Sequence, residues 1–398
     1  MKLYWHGSSL DPAMTKRARS PLLHSLTDDL PEMIATLRRY VECESPSGSP
    51  EAISHLVEIM SSDFTALGGQ VRQHPCAGYG PALEVRFPGP KRAPRLLLLG
   101  HTDTVYPTGT LRSMPWREQR GRLMGPGVFD MKGGIVQALF ALKHLLVRAS
   151  LPCSVTILLV PDEEVGSPAS RKLTERLALR SAAVLVLEPA AGAKGACKTS
   201  RKGIARYTLE IKGIASHAGL DFERGASAIV EAAHQILALS GLSRPESGLT
   251  VNPGLVSGGT RPNVVAETAT VVIDARFVSN SQAMKIDREV RRLRPHDPRC
   301  ALKLTGGVER ASFERSKATA RLYQVAAKAA ANLGFELGEA AVGGASDGNL
   351  TAALGVPTLD GLGPVGNGAH AAHEYLIARE LPRRSALLAE LMTTLGSE

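Results

Sequence analysis

Three short, nearly uninterrupted apolar runs constrain this chain most: Leu96-Leu97-Leu98-Leu99, Val155 to Val160, and Ala183 to Leu187. A strand that is apolar at successive positions has to be covered on both faces. Between the runs lie helix signals. Gly133 to Val147 carries Ile135, Leu139, Leu142, Leu145 and Leu146 on one face, and a second helix contains Lys172 to Leu177. Strands alternating with helices predict an α/β layer with a mostly parallel sheet. Helical spacing also marks Ser25 to Met60, interrupted by loop chemistry at Ser45 to Pro50. The buried α/β character returns after Ala318, with a helix to Leu333, a strand at Val356 to Leu359 and a helix from Glu380.

Between these stretches the pattern changes. Ile204 to Ile211 alternates like a half-exposed strand, Ala226 to Leu239 is helical, and Leu255 to Ser257 and Ala266 to Phe277 read as strands. Ala283 to Leu293 is helical, and a last strand falls at Ala301 to Leu304. That β-α-β-β-α-β order is ferredoxin-like. At 398 residues two domains are expected: a discontinuous one over 26–200 and 310–398, and one inserted at 201–309. Residues 1–25 read as a flexible extension without the apolar region of a secretory signal. Met14 is an alternative start that would leave 1–13 out of the mature protein.

Composition narrows the classes. The net charge of +9 is scattered, and aromatic residues make up only 4%, too few for a base-stacking platform. No nucleic-acid partner is expected. No run of about 18 apolar residues occurs, so no membrane span is expected. The five cysteines are far apart and lack CxxC pairing, which fits a reduced, cytoplasmic setting.

The chemistry lies where acids and histidines fall. His101-Thr102-Asp103 follows the first apolar run, Asp162-Glu163-Glu164 the second, and Glu188-Pro189 the third. Asp130 precedes a helix in a Gly-rich turn, and His370 sits in a Gly-rich loop after Val356 to Leu359. Carboxyl ends of strands are where open α/β sheets hold ligands. Imidazoles and carboxylates without thiolates suit zinc, and also cobalt or manganese. Five such groups exceed one catalytic zinc and suit two ions sharing a bridging carboxylate.

His101-Thr-Asp103, Gly-Val-Phe-Asp130-Met-Lys-Gly-Gly, Asp-Glu163-Glu164-Val-Gly, Leu-Glu188-Pro, Ser216-His217-Ala-Gly, Arg261-Pro-Asn263 and His370-Ala-Ala-His-Glu374-Tyr come in this order. Together they resemble the zinc metallopeptidase family of glutamate carboxypeptidase, acetylornithine deacetylase and succinyl-diaminopimelate desuccinylase. The likeness runs from about residue 30 to the C-terminus. It implies a di-metal catalytic domain with an inserted lid and dimerisation domain. Asp130 would bridge two divalent ions, with His101 and Glu188 completing one site and Glu164 and His370 the other. It also implies a cis Asp130–Met131 peptide. Glu163 would be the general base, taking a proton from the attacking water and passing it to the leaving amine. Asp103 would accept the other N–H of the His101 ring, against the plainer reading of a turn cap.

From the inserted domain, the resemblance implies Arg276 as a bidentate clamp on a substrate carboxylate, the plainer reading being a surface ion pair. Asn263 would orient substrate. His217 would stabilise the oxyanion across a homodimer, the plainer reading being a loop histidine bonded to local backbone. Ser346, in the Gly343 to Gly348 loop, is a further substrate-binding candidate. The expected activity is hydrolysis of an amide bond beside a free carboxylate, carboxypeptidase-like, on a small peptide. An N-acyl amino acid deacylase is the alternative, and a non-catalytic binding protein or scaffold on the same fold a more distant one.

Overall fold

The computed structural model describes residues 20–147 and 151–397. Its six-stranded sheet runs in the order Gln70–Cys76, Gly80–Phe87, Ser154–Val160, Arg95–His101, Ala183–Val186, Thr358–Leu359. The last four strands are mutually parallel, and antiparallel pairings join the first two. The fold is therefore mixed α/β with a mostly parallel central sheet.

The continuous apolar runs are accounted for by alternation across this sheet. Leu96, Leu98, Val155, Ile157, Leu159 and Leu185 enter the main core with helices Gly133–Val147 and Glu380–Ser397. Leu97, Leu99, Leu158, Val160, Val184 and Val186 pack on the other face against Leu173, Leu177 and Ala178 of helix Arg171–Ala178. Each fully buried side chain of this kind contributes roughly 1.5–3 kcal/mol. Gly134 and Gly363 let backbone approach the strand end closely, because a Cβ at either would sit 2.1 Å from the Leu187 carbonyl oxygen.

Residues of the 203–310 stretch form an antiparallel sheet in the order Thr250–Gly258, Thr268–Phe277, Gly203–Lys212, Ala301–Arg310. Helices Ala228–Ser240 and Asn280–Arg291 cover it, with a core of its own around Tyr207, Leu209, Val271, Ile273 and Ile286. The extension read over 1–25 needs correction at its inner end. Pro21–Asp28 is a helix, since Leu22 and Leu26, one turn apart, are buried against the main core. The remainder of that reading, and Met14 with it, lies outside the described residues. Among the described residues no helix is long and apolar enough to cross a membrane.

Candidate metal centre

His101 is the last residue of strand Arg95–His101 and is buried. Its Nδ1 lies 2.9 Å from the main-chain oxygen of Asp103. That contact fixes the proton on Nδ1 and turns Nε2 toward Asp130 Oδ1 at 3.2 Å and Glu188 Oε1 at 3.4 Å. The other oxygen of Asp130, Oδ2, is 3.4 Å from His370 Nε2, which is in turn 3.1 Å from Glu164 Oε2. All five residues therefore converge, and the Asp130 carboxylate faces a different pair of groups with each oxygen. Donors about 2.0–2.1 Å from a tetrahedral ion are separated by about 3.3 Å. The observed spacings match that edge.

A second observation supports a cation here. Glu164 Oε1 is buried without a hydrogen-bond partner among the described residues, a costly arrangement for a carboxylate oxygen unless an ion satisfies it. The residues present fit a divalent metal, with His101, Asp130 and Glu164 in one group of donors and His101, Glu163 and Glu188 in another.

The backbone around these ligands is held by carboxylates. Asp103, expected to grip the His101 ring, leaves that to its own carbonyl, and its carboxylate is 3.5 Å from Nδ1. The carboxylate instead accepts the N–H groups of Glu163 and Glu164, each at 3.2 Å, and the Ser47 hydroxyl at 2.6 Å. Asp103 thereby pins the turn that carries both glutamates. Glu374 accepts from the N–H groups of Gly127, Phe129 and Asp130 at 3.1, 2.7 and 2.9 Å and from the Tyr106 hydroxyl at 2.6 Å. It holds the turn in which the Asp130–Met131 peptide is cis.

Glu163 points into the same cavity, about 230 Å³ in volume and lined also by Asp130, Glu164, Glu188, Lys198, Arg201 and His370. Burial, and then repulsion from Glu188, hold its carboxyl well above the ordinary range, and Arg310 acts against both. Arg310, the last residue of strand Ala301–Arg310, reaches Glu163 Oε1 at 3.7 Å while donating to Asp347 Oδ1 at 2.7 Å and Ser167 Oγ at 2.9 Å.

Four candidates are not among the residues that line this cavity. Ser346 is buried and donates its hydroxyl to Asp360 Oδ2 at 2.7 Å, so that group is committed inside the protein. Arg276 forks onto Asp274 at 2.7 and 3.0 Å, the ion pair of its plainer reading. His217 is exposed, with Nδ1 accepting from the N–H groups of Gly219 and Leu220 at 3.1 and 3.2 Å. Asn263 is exposed beside it, its carbonyl accepting from Ala218 N–H at 3.0 Å.

Several groups at the site escaped the sequence reading. Arg201 donates to Asp360 through Nε at 2.7 Å and Nη2 at 3.0 Å, to Glu188 Oε2 at 3.3 Å and to the Gly344 carbonyl at 3.1 Å. Arg310, Asp347 and Lys198 were likewise passed over. Their sequence signal is only a basic or acidic residue beside a Gly or Ser loop, which is common on any surface.

The strand-end ligand cluster and its adjoining buried acid define a metal-dependent hydrolase on an α/β scaffold. The chain belongs to peptidase family M20/M25/M40, which residues 97–394 match. Carboxypeptidase G2 of Pseudomonas sp. (strain RS-16) is 31% identical over 395 residues, covering 97% of this chain and 94% of that protein. Acetylornithine deacetylase of Myxococcus xanthus is 27% identical over 286 residues, covering 68% and 73% of the two chains. The structure of aminopeptidase PepT from Bacillus cereus matches with a TM-score of 0.81 at 21% identity, over 92% of this chain and 98% of that one.

Metal uptake should be linked to pH. Hydrogen bonds to Asp130 and then Glu164 push the His370 pKa up to about 10 in the metal-free protein. The imidazole is thus protonated at neutral pH, and a cation has to displace that proton. Apparent zinc affinity, measured against a chromogenic chelator between about pH 6 and 8, should rise roughly tenfold per pH unit for each proton displaced. An affinity independent of pH would remove His370 from the ligand set.

Proposed function

We propose that this hydrolase cleaves an amide bond adjacent to a free carboxylate, releasing the C-terminal amino acid of a small peptide. The observation that carries the reading is the division of the Asp130 carboxylate between two ligand sets, with Glu163 alongside. His101 and Glu188 would hold one divalent ion, Glu164 and His370 the other, and Asp130 both. Zinc suits the donor set best, and cobalt or manganese are compatible. When bound, such ions would acidify water and polarise the scissile carbonyl. Glu163 would take the proton from the attacking water at its carboxylate and deliver it to the departing amine. Likeness to carboxypeptidase G2 along nearly the whole chain favours this reading. The shorter match to acetylornithine deacetylase keeps N-acyl amino acid deacylation as the second.

Residues 201–309 would act as lid and dimerisation domain of a homodimer, with 26–200 and 310–398 as the catalytic domain. In support, strand Thr250–Gly258 lies at a sheet edge with Leu255 and Val256 exposed, and helix Ala228–Ser240 exposes Ile229, Val230 and Leu237. An unpaired edge beside an apolar face invites a second copy. The backbone N–H bonds to His217 Nδ1 place its proton on Nε2, as a donor to an oxyanion in the partner's cavity requires. Arg276 would exchange Asp274 for the substrate carboxylate, with Asn263 orienting the amide. Ser346 would act on substrate only through the loop it anchors. The setting would be cytoplasmic.

The test is a panel of dipeptides, N-acyl amino acids and their C-terminal amides, assayed with zinc, cobalt or manganese. Hydrolysis of the free acids, loss of activity in chelator and loss with the C-terminal amides are expected. Equal rates on acids and amides would sink the carboxylate requirement.

A further inference from the structure

Four of the five proposed ligands sit on regular elements. His101 ends strand Arg95–His101, Glu164 and Glu188 follow strands Ser154–Val160 and Ala183–Val186, and Asp130 lies just before helix Gly133–Val147. His370 is placed differently. It belongs to a loop between the short strands Gly366–Asn367 and Tyr375–Ile377, in which Ala369, Ala372 and His373 are exposed. Its own backbone is left-handed, with φ 63°. That conformation is uncommon for a residue with a Cβ and persists where the surroundings enforce it. Inside the loop, the Ala371 N–H donates to the Gly368 carbonyl at 2.9 Å and the Glu374 N–H to the Ala371 carbonyl at 3.0 Å.

Two groups fasten this loop to the rest of the site. One is the Glu374 carboxylate, which holds the N–H groups of Gly127, Phe129 and Asp130. The other is Tyr106. Its hydroxyl donates toward Glu374 Oε2 at 2.6 Å and toward the carbonyl of Ala371, the residue after His370, at 3.0 Å. Tyr106 stands in the segment that leaves His101 and Asp103, so one phenol oxygen joins that segment, the Asp130 turn and the His370 loop. The side chain is half-buried and is not among the residues that line the metal cavity. Burial, and then Glu374, hold the phenol far above its ordinary pKa, which keeps it a donor. The two ligand sets depend on this bond unequally. His101 and Glu188 approach Asp130 from strand ends, whereas His370 reaches Asp130 Oδ2 and Glu164 only from the loop.

We propose that Tyr106 is a positioning residue that fixes the His370 loop against the Asp130 turn. It thereby sets the affinity for the ion held by Glu164 and His370 and leaves that of the other ion alone. This rests on the two-ion reading above.

The experiment titrates the metal-free full chain with cobalt(II) against a competing chelator, which gives a dissociation constant for each equivalent bound. Wild type, Tyr106→Phe, His370→Ala and the double variant are compared. Phenylalanine keeps the ring and removes only the hydroxyl. Hydrogen bonds that orient a ligand from behind change metal affinity about 10- to 100-fold. Tyr106→Phe should weaken one equivalent by that factor and leave the other unchanged. His370→Ala should retain the ion of His101 and Glu188, and adding Tyr106→Phe to it should cost that ion nothing further. Wild-type affinity for both equivalents in Tyr106→Phe overturns the assignment and leaves the two-ion reading standing. Equal losses on both equivalents, which a general loosening of the fold would give, overturn it too. So does a further loss between His370→Ala and the double variant, because Tyr106 would then serve the ion that His370 does not touch. A wild type that binds a single equivalent overturns the two-ion reading and this inference with it.

Discussion

Glu163→Gln should lower kcat by about 10²- to 10⁴-fold, the range associated with loss of a positioned general base, while metal content stays at the wild-type level. The two halves of the expectation have different structural origins. Glu163 is outside the pairings that join His101, Asp130, Glu164, Glu188 and His370, so the ligand set survives its neutralisation. Asp103 holds the turn through the main-chain N–H groups of Glu163 and Glu164, and those do not depend on the side chain. Glutamine keeps the shape and can still face Arg310 but cannot take a proton. A further sign follows from the raised carboxyl. Burial and the nearby Glu188 disfavour the ionised form in the folded chain, so at neutral pH that carboxylate opposes folding of the metal-free protein. Metal-free Glu163→Gln should therefore melt at or above the wild-type temperature. Turnover within tenfold of wild type, with metals retained, would assign the proton transfer to another group.

How much of this was legible in the sequence depended on what kind of signal each part left. The parallel strands were visible because both faces of the sheet are covered, which writes Leu96 to Leu99 as a solid apolar run. Of the acids and histidines that cluster at the cavity, His101, Glu164 and Glu188 were visible because they follow such runs directly. Strand Cys197–Arg201 was not legible. It pairs in parallel with Glu339–Val342, and Cys-Lys-Thr-Ser-Arg has neither an apolar run nor a polar–apolar alternation. With it went Lys198 and Arg201. For Asp103 the sequence left its further partners open: a carboxylate two residues past a histidine can face the ring and also accept from neighbouring N–H groups. Only the tertiary position of the Glu163–Glu164 turn decides the second. The Ser346 contact was not legible for a related reason, since a serine in a Gly-rich loop carries no mark of Asp360 beneath it. Helix Pro21–Asp28 was hidden by its length, two turns with only Leu22 and Leu26 buried.

Arg201→Met should be the most destabilising single change near the site, costing about 3–5 kcal/mol, because it strands a buried charge. Asp360 is fully buried and accepts two of the guanidinium's hydrogen bonds. In the wild type, burial raises the Asp360 pKa, but Arg201 and then Lys198 outweigh it and leave it lowered. That contribution to stability is present above the ordinary aspartate pKa and is lost as pH falls through the lowered one. Without Arg201 the carboxyl has to be protonated to stay inside, so the gap between variant and wild type in urea midpoint should widen as pH rises. A second effect runs through Glu188. Its Oε2 loses the Arg201 donor at 3.3 Å, and removing a group that orients a ligand typically weakens metal binding 10- to 100-fold. The double variant Arg201→Met with Asp360→Asn separates the two. Neutralising Asp360 should recover much of the stability, since no bare charge remains, yet metal affinity should stay low because Glu188 is still unsupported. A double variant that regains full affinity would show that Arg201 acts on the fold alone, and an Arg201→Met protein as stable as wild type would show that solvent reaches Asp360.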